Sequence, residues 1–389
     1  MFQGQTVLAQ LMEFLPRRDF HACVARYRGD YRARSFSCRD QFLAMAFAQL
    51  TFRESLRDIE TCLSALESKL YHAGFRGRVT RSTLADANER RDWRIYADFA
   101  QVLIRRARKL YAHDTFGADL QHTAYALDST TIDLCLALFP WAPFRRRKAA
   151  VKLHTLLDLR GNIPCFIRIS HGKTHDVTAL DHLLLEPGAF YIMDKGYIDF
   201  ARLYRIHQAA AFFVLRGKRG LDFRRRLRRD VDRNSGLRSD QTIVLRGPLT
   251  AQRYPDPLRR IAYFDAENEK RFVFLTNNFV LPAATIAQLY KCRWQVELFF
   301  KWIKQHLRIK AFYGHSPNAV KTQVWIAVSM YVMVAIVRKE LHLDRSLGEI
   351  LQILSLSLFE KTPLNQAFSR QIVTLPEPSC RNQLPLFDL

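Results

Sequence analysis

Phe190-Tyr191-Ile192-Met193-Asp194-Lys195-Gly196-Tyr197, the helical stretch Ile198 to Gln208, and Phe212-Phe213-Val214-Leu215 follow one another without a break in texture. An apolar run, a segment of helical period and a second apolar run predict strand, helix and strand. Further β-type runs precede them at Ala124 to Leu127, Val151 to Leu157 and Cys165 to Ile169, with a helical stretch at Val177 to Leu185. Strands in succession, then alternating with helices, imply a mixed α/β sheet. In an open sheet of this kind the strand tips line the ligand crevice. Asp128 follows Tyr125-Ala126-Leu127 and Asp194 follows Met193, so both acids are expected at tips. Either one alone reads equally well as a turn or capping residue.

The flanks differ. From Arg39 to Leu110 apolar residues recur at helical spacing, as in Phe42, Ala46, Phe47 and Leu50, and the last helix ends in Arg105-Arg106-Ala107-Arg108-Lys109. Residues 1–115 are therefore expected to form a helical DNA-binding region, the alternative being a bundle with a solvated basic face. Residues 120–345 form the core. Within it, residues 216–280 read as a β-rich insertion with a basic rim, since Arg216 to Arg233 holds nine Lys or Arg and three Asp. A long helix is expected from about Ala283 to Leu307, with an apolar helix near 318 to 340 beneath it. Residues 346–389 form a C-terminal helix and a tail with Pro363, Pro376, Pro378 and Pro385.

The 389 residues carry 60 Lys plus Arg against 37 Asp plus Glu, a net charge of +23. With 48% hydrophobic and 12% aromatic residues the chain can bury a core, which excludes a disordered basic protein. Such a field favours a polyanion, nucleic acid or an anionic membrane surface. The longest apolar run, Val324 to Val337, spans 14 residues, short of the roughly 20 that cross a bilayer. The N-terminus lacks the charged and apolar regions of a secretory signal, so the cytoplasm is expected. Seven cysteines without a Cys-x-x-Cys pair read as reduced thiols.

Chemistry concentrates in Tyr290-Lys291-Cys292-Arg293-Trp294-Gln295-Val296-Glu297-Leu298-Phe299-Phe300-Lys301-Trp302-Ile303-Lys304. At about 100° per residue, with Tyr290 at zero, Arg293, Glu297 and Lys304 fall near ~300°, ~340° and ~320°, on one narrow face. Val296, Phe299, Phe300 and Ile303 fall on the packing side. The bland reading is a solvated face with Glu297 paired to Lys301 at i,i+4. Taken together, Asp128, Asp194 and Glu297 can hold two Mg²⁺ ions about 4 Å apart for phosphoryl transfer. Arg145-Arg146-Arg147-Lys148 and Arg224-Arg225-Arg226 read as phosphate contacts, with solvated loops as the alternative. Lys152 and His154 could approach phosphates, Asp176 reads as a helix cap, and His171 with His175 lacks the further ligands that zinc requires.

These residues resemble a family. Tyr290, Arg293, Glu297 and Lys304 have the Tyr-x2-Arg-x3-Glu-x6-Lys spacing of DDE transposases of the insertion sequence 4 family, Asp194-Lys195-Gly196-Tyr197 is similar to their second-Asp motif, and Asp128-Ser129-Thr130 to the first. The resemblance covers about residues 120 to 345, and residues 1 to 110 resemble a domain of unknown function that precedes the core in many such proteins. It implies an α/β, RNase H-like core with a β-rich insertion in the 297 − 194 = 103 residues between the second Asp and the Glu. It implies catalysis at Asp128, Asp194 and Glu297, holding two Mg²⁺ with Mn²⁺ able to substitute. DNA contacts are expected from Tyr290, Arg293, Lys304, Lys301, Arg216, Arg224, Arg225 and Arg226. The implied partners are double-stranded DNA, as element ends and target, and a second copy in a synaptic homodimer, with no membrane and a nucleoid location. Relatives use an aromatic side chain at a hairpin step, and with no Trp between Trp141 and Trp294 that role would fall to Tyr254, Tyr263 or Phe264. A structure-specific nuclease on the same core and a non-catalytic DNA-binding derivative remain alternatives; the presence of all three acids favours an enzyme.

Overall fold

In the computed structural model, which describes residues 4–118, 120–146, 148–218, 220–306 and 312–369, helices come first. They are α1 (Val7–Glu13), α2 (Arg17–Arg26), α3 (Cys38–Leu50), α4 (Leu56–Ala65), α5 (Glu67–Leu70), α6 (Arg81–Arg90) and α7 (Arg94–Leu110). Thr6, Ser37, Ser55 and Thr80 each accept a first-turn backbone N–H, supplying the partner that the helix start lacks.

The sheet follows: β1 (Ala124–Leu134), β2 (Pro143–Arg145), β3 (Lys148–Asp158), β4 (Ile163–His171), β5 (Phe190–Met193), α8 (Phe200–Gln208) and β6 (Phe212–Arg216). β3 runs antiparallel to β1 and to β4, whereas β5 is parallel to β1 and β6 parallel to β5. The order β4-β3-β1-β5-β6 is that of an RNase H-like core. Parallel strands need cover on both faces. Tyr191, Met193, Phe213 and Leu215 pack with Leu203 and Ile206 of α8, while Phe190, Ile192 and Val214 face the opposite core, as a period of two requires.

The insertion continues this sheet. β7 (Phe223–Arg229), β8 (Leu237–Leu245), α9 (Pro248–Arg253), β9 (Leu258–Asp265) and β10 (Lys270–Thr276) follow β6, and β10 pairs antiparallel with β6, giving the order β2-β3-β1-β5-β6-β10-β9-β8-β7. The arginine run expected as a rim is the strand β7 at the sheet edge. Charged side chains there guard an open edge against pairing with another chain.

Next come α10 (Ala283–Cys292), α11 (Trp294–His306), α12 (Pro317–Glu340), α13 (Leu347–Ser357) and α14 (Leu364–Phe368). The single long helix expected over this region is two, broken at Arg293, whose N–H donates to the Tyr290 carbonyl in a tightened turn. The helix expected at Val177 to Leu185 is a 3-10 turn, Asp176–His182. The apolar stretch of α12 is longer than the 14-residue run suggested: by length and composition it could cross a membrane, with mean hydropathy 1.7. That stretch is 94% buried, and α12 packs along α7 and against α3 and α6. One core thus joins the N-terminal helices to α12–α14. Leu307, Arg147, Cys380 and the tail prolines Pro376, Pro378 and Pro385 lie outside the described residues.

Candidate active site

The continuous buried run at the start of β1 ends at Leu127, which pairs with Met193, the last residue of β5. Asp128 and Asp194 therefore leave adjacent strands at the same level. Asp194 is at a true strand end, as expected. Asp128 is not, because β1 continues to Leu134 in its ladder with β3, so the acid projects from mid-strand where the neighbour stops. Leu215 pairs with Met193, which puts Arg216 beside Asp194 on the next strand.

The turn between α10 and α11 closes the site. Arg293 donates from Nη1 to Asp128 Oδ2, 165 residues away in sequence, at 2.9 Å and from Nη2 to Glu297 Oε1. Tyr290 OH approaches Asp194 Oδ1 at 3.4 Å, and Lys304 Nζ donates to the Thr131 carbonyl at 2.9 Å. Tyr290, Arg293 and Lys304 reach the β1 or β5 side, and Glu297 joins them through Arg293. Glu297 pairs with Arg293 and not with Lys301, which is exposed on the outer side of α11. The Tyr290 ring is held 4.8 Å from Phe274 and is buried, so Tyr290 joins the insertion to the site.

Burial pushes the Asp128 carboxyl above the usual aspartate range, and the charges of Glu297 and Asp194 act in the same direction against Arg293 and the Ser129 N–H. A cation relieves that opposition. The buried Arg293 Nε, a donor without a partner, suits an anion and not a cation, whereas all three acids offer hard carboxylate oxygens, the donors Mg²⁺ prefers. The donor chemistry therefore fits a divalent ion. Among the described residues no three acidic, His or Cys side chains stand close enough to enclose one, because the Arg293 guanidinium takes the interval between Asp128 and Glu297.

The structure does not bring every basic residue to this point. Arg224, Arg225 and Arg226 lie on β7, five strand steps from β5, roughly 24 Å at about 4.8 Å per step. Arg216 lies over the Phe272 ring and lines a cavity of about 340 Å³ with Lys218, Arg260 and Arg271. Of the aromatic candidates, Tyr254 is buried in the core beside Phe213, while Tyr263 and Phe264 are half-buried on β9.

One group escaped the reading of the sequence. Asp176 makes no helix cap; its carboxylate accepts from Ser129 Oγ at 2.5 Å and meets Lys152 Nζ at 2.9 Å. Ser129 adjoins Asp128, so this pair braces the first acid from behind. His154, paired with Ser129 across the ladder, faces inward, and burial pushes it down to about 4. The only signal was alternation: Lys152 and His154 share one side of a strand opposite Ser129.

Residues 119–333 match the family described as Transposase DDE domain, and residues 3–76 match a domain of unknown function, DUF4372. A Sinorhizobium fredii protein described as transposase y4zB is 33% identical over 285 residues, 72% of this chain and 77% of that one. A Geobacillus stearothermophilus protein described as a transposase for insertion sequence element IS5377 is 31% identical over 53% of this chain and 54% of its own. Among solved structures, a piggyBac transposase synaptic complex with hairpin DNA is similar at a TM-score of 0.48 and 10% identity, covering 95% of this chain and 83% of that one.

Proposed function

Because this chain belongs to the transposases with a DDE domain, we propose that it binds the terminal inverted repeats of an insertion sequence, cleaves at the element ends and joins them to target DNA. The reaction is phosphoryl transfer in a cut-and-paste sequence, with two copies of the chain holding the two ends. The reading is carried by Asp128 and Glu297 bridged by Arg293, with Asp194 tied to the same turn through Tyr290.

Asp128, Asp194 and Glu297 would hold the divalent ions, Mg²⁺ or Mn²⁺. Such ions make the attacking oxygen nucleophilic and stabilise the leaving one. The chain's own residues do the positioning. Arg293 fixes Asp128 relative to Glu297, Tyr290 limits the swing of Asp194, and Lys304 clamps α11 to β1 through Thr131. Arg216, beside Asp194, is placed to meet a phosphate next to the scissile one, and exposed Lys301 to meet one further along. Arg224, Arg225 and Arg226 act from a distance, drawing duplex to the insertion flank through their field. Residues 1–115 serve as a DNA-binding region in this scheme, residues 120–345 as the core and residues 346–389 as its C-terminal extension. The nucleoid in the cytoplasm is where such a substrate is met.

The test is incubation of the protein with Mg²⁺ and duplexes carrying the repeats that flank its coding sequence. The expected products are ends with free 3′-hydroxyls and their joined forms. Asp194→Asn should abolish both while retaining binding, and cleavage by that variant at the wild-type rate contradicts the assignment.

A further inference from the structure

The segment between α2 and α3, Tyr27 to Phe36, carries Arg28, Arg32 and Arg34, all exposed. Arg28 and Arg32 have left-handed backbone, with φ of 52° and 61°. Outside glycine that conformation costs about 1 to 2 kcal/mol per residue and persists where the surroundings impose it. Here the surroundings do. A Cβ on Gly29 would stand 2.5 Å from Ile95 and 2.7 Å from Cys38, so the chain is pressed onto α7 and α3 and a larger residue would have to displace both side chains. Asp30 accepts from the Cys38 N–H at 2.6 Å, and Arg91 donates to the carbonyls of Phe36 and Ser37. The loop is pinned at both ends.

The nearby acids are already engaged: Asp98 by Arg26 and Tyr27, Asp92 by Arg94, Asp30 by the backbone, and Asp86, on the groove wall, by Arg90 at 4.0 Å. Among the described residues Arg28, Arg32 and Arg34 meet no carboxylate within ion-pair distance. Together with Arg90 of α6 they line a groove of about 690 Å³. Tyr31, 70% exposed, stands at its lip with Arg32 5.2 Å over its ring. Guanidinium groups on a fixed backbone suit phosphate oxygens, which they can grip in pairs. A membrane surface is a poor match, because an interfacial anchor needs an apolar face and Tyr31 is the one large apolar side chain exposed among the residues lining this groove.

We propose that the groove between the Tyr27–Phe36 loop and α6 is a docking surface for the phosphate backbone of duplex DNA, gripped by Arg28, Arg32 and Arg34. This rests on the reading that the protein acts on DNA and adds where its N-terminal helices hold the duplex. The loop fixes position on the backbone and reads no base.

The experiment titrates the full chain with an end duplex across a range of salt, for wild type, the triple variant Arg28→Ala, Arg32→Ala, Arg34→Ala, and the same three positions changed to Lys, each checked by a melting curve. At about 0.9 per neutralised phosphate, the slope of log K against log salt should flatten by up to about 2.7 in the Ala variant and stay near wild type in the Lys variant. Affinity at physiological salt should fall at least about tenfold for Ala. A wild-type slope in the Ala variant, a Lys variant that falls as far as the Ala one, or a loss confined to phosphatidylserine vesicles overturns the proposal while leaving DNA cleavage intact. Absence of duplex binding by wild type would instead remove the wider reading.

Discussion

Two sets of cations, the turn at Arg293 and the strand β7, carry the same kind of charge in opposite settings. Arg293 has 15% of its side chain exposed and bonds two carboxylates. Arg224, Arg225 and Arg226 are exposed at a sheet edge, and among the described residues they make no ion pair. A guanidinium whose water has been replaced by fixed partners sets geometry, and its removal leaves uncompensated buried charge. A solvated one supplies field, which salt screens. Charge count does not separate these roles; partners and burial do.

Among the cations the largest effect is expected at Arg293. Arg293→Ala is expected to slow single-turnover cleavage about 10²- to 10³-fold, the loss seen when one preorganised donor is deleted. A rate within about threefold of wild type would make Arg293 equivalent to the β7 arginines.

Burial on the same flank predicts a pH effect. His154 is held near 4 when folded against 6.5 for an ordinary imidazole, so the unfolded chain binds the proton first as pH falls. Stability from this group is complete above about 6.5, is lost on acidification toward 4, and drops by about 2 kcal/mol between pH 7 and 5. Denaturant unfolding at both pH values should show this component vanish in His154→Gln.

A smaller effect is expected behind Asp128. Asp176→Asn keeps the shape of the contact with Ser129 but loses the charge facing Lys152, and should slow cleavage about tenfold with DNA affinity unchanged, as for partners that orient metal ligands. A change in affinity alone would show that Asp176 supports the surface and not the acid. The least effect on rate belongs to β7. Replacing Arg224, Arg225 and Arg226 with Ala should flatten the salt slope of binding by up to about 2.7 and lower the rate on bound DNA far less than Arg293→Ala does.

The helix face was legible because 3.6-residue geometry alone puts Tyr290, Arg293, Glu297 and Lys304 in line, and each meets the β1 or β5 side or a neighbour on the face. The break at Arg293 was not, since neither proline nor glycine marks it. The parallel strands β5 and β6 stood out as short apolar runs between helical stretches, as strands buried on both faces must. β7 was hidden because Phe-Arg-Arg-Arg-Leu-Arg-Arg has no apolar alternation, an edge strand having a face to solvate rather than bury. That the insertion extends the core sheet through β6 and β10 depends on a pairing across some 60 residues, which no local pattern encodes. The role of Asp176 was likewise set by a partner, Ser129, 47 residues away.

Asp128 on β1, Asp194 just past β5 and Glu297 on α11 are proposed to act as one site on DNA. Single-turnover cleavage of an end duplex by Glu297→Gln, with binding measured on the same samples, tests it most directly, because the amide keeps the shape and removes the charge. The expected result is a loss of at least about 10³-fold in rate, several kcal/mol of transition-state stabilisation, with affinity within about threefold of wild type. Mg²⁺-dependent cleavage by Glu297→Gln near the wild-type rate would contradict it.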